Sequence, residues 1–170
     1  PTPAQYLQLA VLDGVAGNPD NPRGTQARLA RDDGALIVAE IGYQRTAEEG
    51  GFLRAALGGW HYTTSFDHVS NVDAEGNPQR VHGSQGLYAL LEGALYHEPG
   101  ATTRGLSAFL RIGGADPKVN PIQYSASAGL VYTGLFPGRA EDLTGLGVSA
   151  AFTSSEYRNA RSVESPVDTA

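Results

Sequence analysis

The sequence predicts an all-β fold that forms part of a transmembrane antiparallel β-barrel, with about seven strands in 170 residues. Two observations favour this fold. The 22 Gly and 10 Pro residues interrupt the chain too often for long helices. The apolar segments between them run for about nine to twelve residues with a period of two. Globular strands average about 5–6 residues, whereas strands that cross a bilayer need about 9–11. A soluble β-sandwich is the competing interpretation, because a sheet that covers a core also alternates.

The segments and their connections follow part of the pattern of an outer-membrane barrel. In such barrels long loops leave one side of the membrane and short turns the other. A long connection (Gly14–Gly34), a short one (Arg45–Gly51) and a second long one (Thr64–Gln85) fit this rule, whereas the three later connections are all short. The seven predicted strands are Gln5–Asp13, Ala35–Gln44, Phe52–Thr63, Gly86–His97, Arg104–Gly114, Ile122–Thr133 and Leu143–Ser154.

The first two segments differ in the clarity of their alternation. In the first, Leu7 and Val11 lie on the face opposite to Gln8, as expected when neighbouring side chains point to opposite faces of a strand. The second is less regular, because Leu36 shares a face with Glu40. Both segments are long enough to cross a bilayer.

The third, fourth and fifth segments each carry a charged residue within an apolar sequence. These residues are Arg54, Glu92 and Arg111. In the fourth segment, Leu87 and Leu91 occupy the face opposite to Glu92. The three charges therefore lie inside otherwise apolar strands.

The last two segments alternate most cleanly. In the sixth, an apolar face runs from Ile122 to Tyr132 and carries aromatic residues near both ends, while the other face holds small and polar residues. In the seventh, Leu146 and Phe152 oppose a face that includes Ser149. One apolar and one small-polar face fits either a barrel strand between lipid and a water-filled lumen or a sandwich strand between a core and solvent.

The charged residues predict which face would line that lumen. An Arg on the lipid face near the midplane costs about 2–4 kcal/mol, so such side chains must point inward in a barrel. Carboxylates, guanidinium groups and amides hydrogen-bond sugar hydroxyls, and aromatic rings cover apolar CH patches. Gln8 and Tyr96 are expected to contribute to the lining as well. The predicted lumen-lining and substrate-contacting residues are Glu40, Arg54, Trp60, Tyr88, Glu92 and Arg111.

Composition excludes several other classes of function. The absence of Cys removes thiol catalysis, disulfides and thiolate metal sites. The net charge is −6, and the 12 Lys and Arg residues are scattered, which argues against nucleic-acid binding. No catalytic residue, metal ligand or cofactor site is predicted, so an enzyme is not expected. The chain contains no Met and finishes without a strand pattern, from which we expect a partial barrel domain over residues 1–170, truncated at both ends.

Three local motifs have ordinary structural interpretations. Asn71–Gly76 starts like a calcium-binding loop, but its twelfth position is His82 instead of Glu, so we expect a polar surface loop. The glycines of Gly145–Ala150 alternate inside a strand pattern and do not form a dinucleotide-binding turn. The four His residues have no paired metal spacing and are expected to be solvated.

Several stretches of the chain carry recognisable turn and strand motifs. The longest is Gly129–Arg139, with the sequence GLVYTGLFPGR, followed by Asp142–Val148. The supporting stretches are Asp33–Leu36, Glu40–Tyr43, Leu57–His61 and Arg104–Arg111. In their residues and in their order along the chain, these stretches resemble the OprB-type carbohydrate-selective porins of Gram-negative outer membranes.

This resemblance implies a sixteen-stranded antiparallel barrel, passive diffusion of sugars and a location in the outer membrane. It also implies that the chain is a piece of the C-terminal half of a longer protein, in contact with outer-membrane lipid and small sugars. It identifies no constriction residue, because the matched motifs are turn and strand signatures. The oligomeric state is not predicted. The alternative function is a soluble all-β carbohydrate-binding module, in which Trp60 and nearby tyrosines bind sugar.

Overall fold

The computed structural model describes residues 4–14, 34–46, 51–101 and 103–164. Within these ranges the chain forms seven strands and one helix. Their bounds are β1 Ala4–Asp13, β2 Ala35–Arg45, β3 Leu53–Val72, β4 Pro78–His97, β5 Gly105–Ala115, β6 Ile122–Thr133, β7 Leu143–Thr153 and α1 Ser155–Glu164.

The strands form a single antiparallel sheet in which each strand pairs with the next one along the chain. The order across the sheet is β1-β2-β3-β4-β5-β6-β7, without a crossover. β1 and β7 are the edges of the described sheet, which is therefore open. The prediction of an all-β fold with seven antiparallel strands is confirmed.

The apolar face of this sheet is exposed. Leu7, Val148 and Leu146 retain 76%, 72% and 80% of their accessible surface. Within the described ranges, Ala56 is the one buried apolar side chain. A soluble sandwich would bury its apolar face against a second sheet, and no other sheet is present among the described residues. The sandwich interpretation therefore finds no support in the fold.

The prediction of a long connection over Thr64–Gln85 is wrong. β3 and β4 each have 20 residues and extend as one hairpin to a turn at residues 73–77. Asp73 closes this turn, because its Oδ1 accepts the backbone N–H groups of Glu75 at 3.0 Å and Asn77 at 2.8 Å. Polar residues and register shifts hide the alternation expected of a strand in this stretch, but the pairing of β3 with β4 continues as far as Val72 and Pro78. The predicted loop at Asn71–Gly76 is thus the end of β3 and its turn.

The helix α1 is absent from the sequence-based prediction, which assigned no element after the last strand. Ser154 caps it: the hydroxyl oxygen accepts the N–H of Tyr157 at 3.1 Å. The helix contacts β3, and the Ser70 hydroxyl donates to the Glu156 carboxylate at 2.8 Å. Among the described residues, the structure has no helix of the length and apolarity required to cross a bilayer.

His68 corrects the expectation of solvated histidines. It is 9% exposed, and its Nδ1 accepts the backbone N–H groups of Ser70 at 3.2 Å and Asn71 at 3.1 Å. These bonds turn the backbone near the tip of the hairpin. His68 is therefore a structural residue at the contact between the hairpin and α1.

Two predicted connections lie mostly outside the described residues. Gly14–Gly34 includes residues 15–33, and Arg45–Gly51 includes residues 47–50. The three later connections are short, as predicted. The final residues, 165–170, also lie outside the described part of the chain.

The helix cap gives a testable expectation for Ser154→Ala in the complete protein. Losing an N-cap side chain costs about 1 kcal/mol, so amide hydrogen exchange in the first turn of α1 should become about fivefold faster. Ser155→Ala is the matched control, because Ser155 is the neighbouring, exposed serine. Equal exchange in the two variants would contradict the assigned cap.

Candidate functional site

Four charged residues lie in a row across one face of the sheet. This charged row consists of Glu40 on β2, Arg54 on β3, Glu92 on β4 and Arg111 on β5. Residues that are directly paired across antiparallel strands share a face, and Arg54 pairs with Glu92. The row therefore alternates in sign from strand to strand on the polar face.

Glu40 is the most enclosed member of the charged row, and its carboxylate is held from three sides. The hydroxyls of Tyr6 and Tyr88 each donate to it at 2.7 Å, one to Oε1 and the other to Oε2. The Nη2 of Arg54 lies 3.4 Å from Oε1. With 11% of its side chain exposed, Glu40 acts mainly as an anchor for its neighbours.

The row becomes more open toward β5. Nη1 of Arg54 lies 3.7 Å from Oε1 of Glu92, and Nη2 of Arg111 lies 3.7 Å from Oε2 of the same carboxylate. The side chain of Arg111 is 64% exposed, compared with 38% for Arg54. The guanidinium of Arg111 also lies 5.7 Å from the centre of the Phe109 ring. Arg111 is thus the member of the row most available to a solute.

Trp60 lies on the same face as the charged row, between Val38 and Gly86 in the register, but belongs to a different cluster. Its ring meets that of Tyr62 edge to face, with 5.7 Å between centroids. Tyr62 meets Phe66 in the same manner at 5.5 Å. These three rings form an aromatic row along β3. Five of the six predicted lining residues therefore come together, and Trp60 stands apart.

Tyr96 departs from its predicted position in the lining. A register shift between Ala94 and Tyr96 places Tyr96 opposite Leu106, which in turn pairs with Tyr132 of the apolar face. The extra residue of a β-bulge reverses the facing of every side chain after it. The prediction that Tyr96 joins the polar face is wrong for this reason.

Aromatic residues mark both ends of the apolar face. Tyr43, Tyr96 and Tyr132 lie at one end, and Tyr124 and Phe152 form a directly opposed pair at the other. Tyr124 and Tyr132 are eight residues apart, about 26 Å along the strand at about 3.3 Å per residue. Outer-membrane barrels carry an apolar band about 25 Å tall between two such girdles, and their strands tilt by about 35–45°, so this length corresponds to about 20 Å of height. The aromatic residues of the apolar face are therefore arranged like the two girdles of a lipid-facing surface, at a separation close to the height of that band.

The sequence of this chain matches that of a known family over almost its whole length. The matching family model is described as "Carbohydrate-selective porin, OprB family" and covers residues 1–165. The chain belongs to this family. The resemblance drawn from the sequence motifs is therefore confirmed.

Two relatives extend this finding. Porin B of Pseudomonas aeruginosa is 26% identical over 156 residues, which cover 86% of this chain and 34% of that protein. The high-pH structure of OprB from Pseudomonas putida has a TM-score of 0.79 and 23% identity, and the match covers 98% of this chain and 43% of that one. The solved structure establishes a porin-like fold for the sheet. The chain spans between a third and a half of the length of these relatives.

Sequence reasoning missed Tyr6 as a member of the site. Tyr6 alternates with Leu7 and therefore lies on the same face as Gln8, which was the available signal. Its contact with Glu40 depends on the pairing of β1 with β2, where Tyr6 lies opposite Gly42. Tyr62 and Phe66 were missed for a different reason, because the irregular register of β3 hides their position.

The polar face of the described sheet presents hydrogen-bond donors and acceptors. The hydroxyls nearest to the charged row belong to tyrosines that donate to Glu40. Among the residues that the structure describes, no group of three or more His, Asp or Glu residues could hold a metal ion.

Proposed function

We propose that the chain forms part of a porin barrel in the outer membrane of a Gram-negative bacterium, and that small sugars diffuse passively along its polar face. Membership of the carbohydrate-selective porin family supports this function. The observation that carries it is the charged row on one face of a sheet whose other face is apolar and exposed. This division suits a wall between lipid and water.

The charged row would provide selectivity without catalysis. Its alternating signs give a hydroxylated solute an acceptor, at Glu92, and donors, at Arg54 and Arg111, while the enclosed Glu40 holds Arg54 in place. Mutual pairing of these groups keeps the net charge of the row at zero, which favours a neutral solute over a small ion. The rings of Trp60 and Phe109 add apolar surface for the CH faces of a sugar. No cofactor is required for passage.

A larger barrel is part of this proposal. Backbone groups at an open sheet edge cannot remain unpaired in lipid, since each costs several kcal/mol. β1 and β7 form such edges in the described sheet, so further strands would pair with both. We propose that residues 1–170 are a segment of one barrel domain, truncated at both ends, with sixteen strands as the family resemblance implies.

Liposome swelling tests the proposed function. The complete protein would be reconstituted and exposed to isosmotic glucose, a disaccharide and a zwitterion of similar size to glucose. We expect glucose to enter fastest and the zwitterion more slowly, because its two charged groups lose part of their hydration on entering the lumen. Equal rates for all three solutes would contradict carbohydrate preference. An inserted protein that gives no swelling would contradict the porin proposal itself.

A further inference from the structure

Two glycines make room for the tyrosine rings that hold Glu40. A Cβ added at Gly42 would lie 2.3 Å from Cζ of Tyr6, and one added at Gly58 would lie 2.3 Å from Cζ of Tyr88. Real Cβ contacts are not this short, so each ring occupies the space of the missing side chain. Gly58 lies directly opposite Tyr88 in the sheet, as Gly42 lies opposite Tyr6.

Backbone conformation does not explain either glycine. Eight glycines of the described residues have positive φ, and neither Gly42 nor Gly58 is among them. Both lie inside regular strands, where glycine weakens the strand and commonly marks a close approach by another group. The close approach in each case is a tyrosine ring whose hydroxyl reaches Glu40.

We propose that Gly42 and Gly58 are positioning residues for the charged row. By letting Tyr6 and Tyr88 lie flat across neighbouring strands, they fix the Glu40 carboxylate, and Glu40 in turn fixes Arg54. The selectivity of the pore then depends on two residues that contribute no side chain to it. This inference rests on the proposed porin function. It means that two glycines in the sheet beneath the charged side chains help to determine selectivity.

Gly58→Ala in the complete protein tests the proposal. The new Cβ should push the Tyr88 ring aside, release one hydrogen bond to Glu40 and shift the cation-to-anion permeability ratio by about twofold, since a charge that moves by a few ångströms changes its interaction with a passing ion. Gly113→Ala is the matched control, because Gly113 lies opposite Tyr88 on the other side of β4 and a Cβ there would make only ordinary contacts, 3.5 Å at the nearest.

Two further readouts separate positioning from general destabilisation. Tyr88→Phe keeps the ring over Gly58 and removes the hydroxyl, so it should shift the permeability ratio in the same direction as Gly58→Ala. The resonance of 3-fluorotyrosine at position 88 should move in Gly58→Ala and stay in place in Gly113→Ala. A Gly58→Ala permeability ratio equal to that of Gly113→Ala overturns the proposal and leaves the porin function standing. A wild-type protein without conductance refutes the porin function, and the fluorine resonance then decides alone whether Gly58 positions Tyr88.

Discussion

Val148→Arg is expected to destabilise the membrane-inserted complete protein by about 2–4 kcal/mol, the cost of Arg on the lipid face of a barrel near the midplane. Val148 lies on the apolar face of β7 opposite Ala128, with 72% of its surface exposed. In a soluble sheet, the same exposed position would tolerate Arg with little change. The measurement is the free energy of unfolding in lipid vesicles, obtained by denaturant titration and followed by tryptophan fluorescence.

Ser149→Arg is the matched control for this experiment. Ser149 is the next residue along β7, is also exposed and lies on the polar face, where its hydroxyl is 3.0 Å from that of Ser127. We expect its free energy of unfolding to remain within about 0.5 kcal/mol of wild type. Equal losses in the two variants would show that the apolar face is not the lipid-facing one.

Arg111→Ala and Glu92→Ala are expected to change ion preference in opposite directions. A unit charge about 5 Å from the path of an ion contributes about 0.8 kcal/mol in water, equivalent to about a fourfold change in permeability ratio. Loss of Arg111 should favour cations, and loss of Glu92 should favour anions. The reversal potential of the complete protein in a planar bilayer, measured under a salt gradient, gives both values.

Leu130→Ala supplies the control for these charge variants, because Leu130 lies on the apolar face of β6. Its permeability ratio should equal that of wild type. The lumen assignment of Arg111 and Glu92 is refuted if their variants shift the ratio no more than Leu130→Ala does.

The fold was predictable wherever alternation was strict. β6 has the bounds that its pattern predicts, Ile122–Thr133, because apolar and small residues alternate along its entire length. The outer half of the β3–β4 hairpin was not predictable, because polar side chains on both faces remove the alternation of apolar and polar residues that identifies a strand. Its pairing depends on backbone hydrogen bonds and on the turn at Asp73, which carry little sequence signal. α1 escaped prediction because it is short and its stability comes from a cap and from contact with β3.

The members of the site were predictable by charge and strand phase, but their mutual arrangement was not. The energetic cost of Arg in lipid was sufficient to assign Arg54 and Arg111 to the polar face, and the structure places both there. Contact between Tyr6 and Glu40 requires the register of β1 against β2, which alternation alone does not determine. The prediction for Tyr96 is wrong because a single bulge residue moves the side chains that follow it to the opposite face of the strand.

The strictly sequential order of the strands has a consequence for folding kinetics. Every pairing in the sheet joins neighbours along the chain, so the contact order of this segment is low for an all-β protein, and low contact order favours fast folding. The sheet can grow one hairpin at a time, each new strand docking on the edge left by the previous one. The hairpin of β3 and β4 has two strands of 20 residues each and a five-residue turn. We expect pairing to begin there and to extend to the neighbouring strands on both sides.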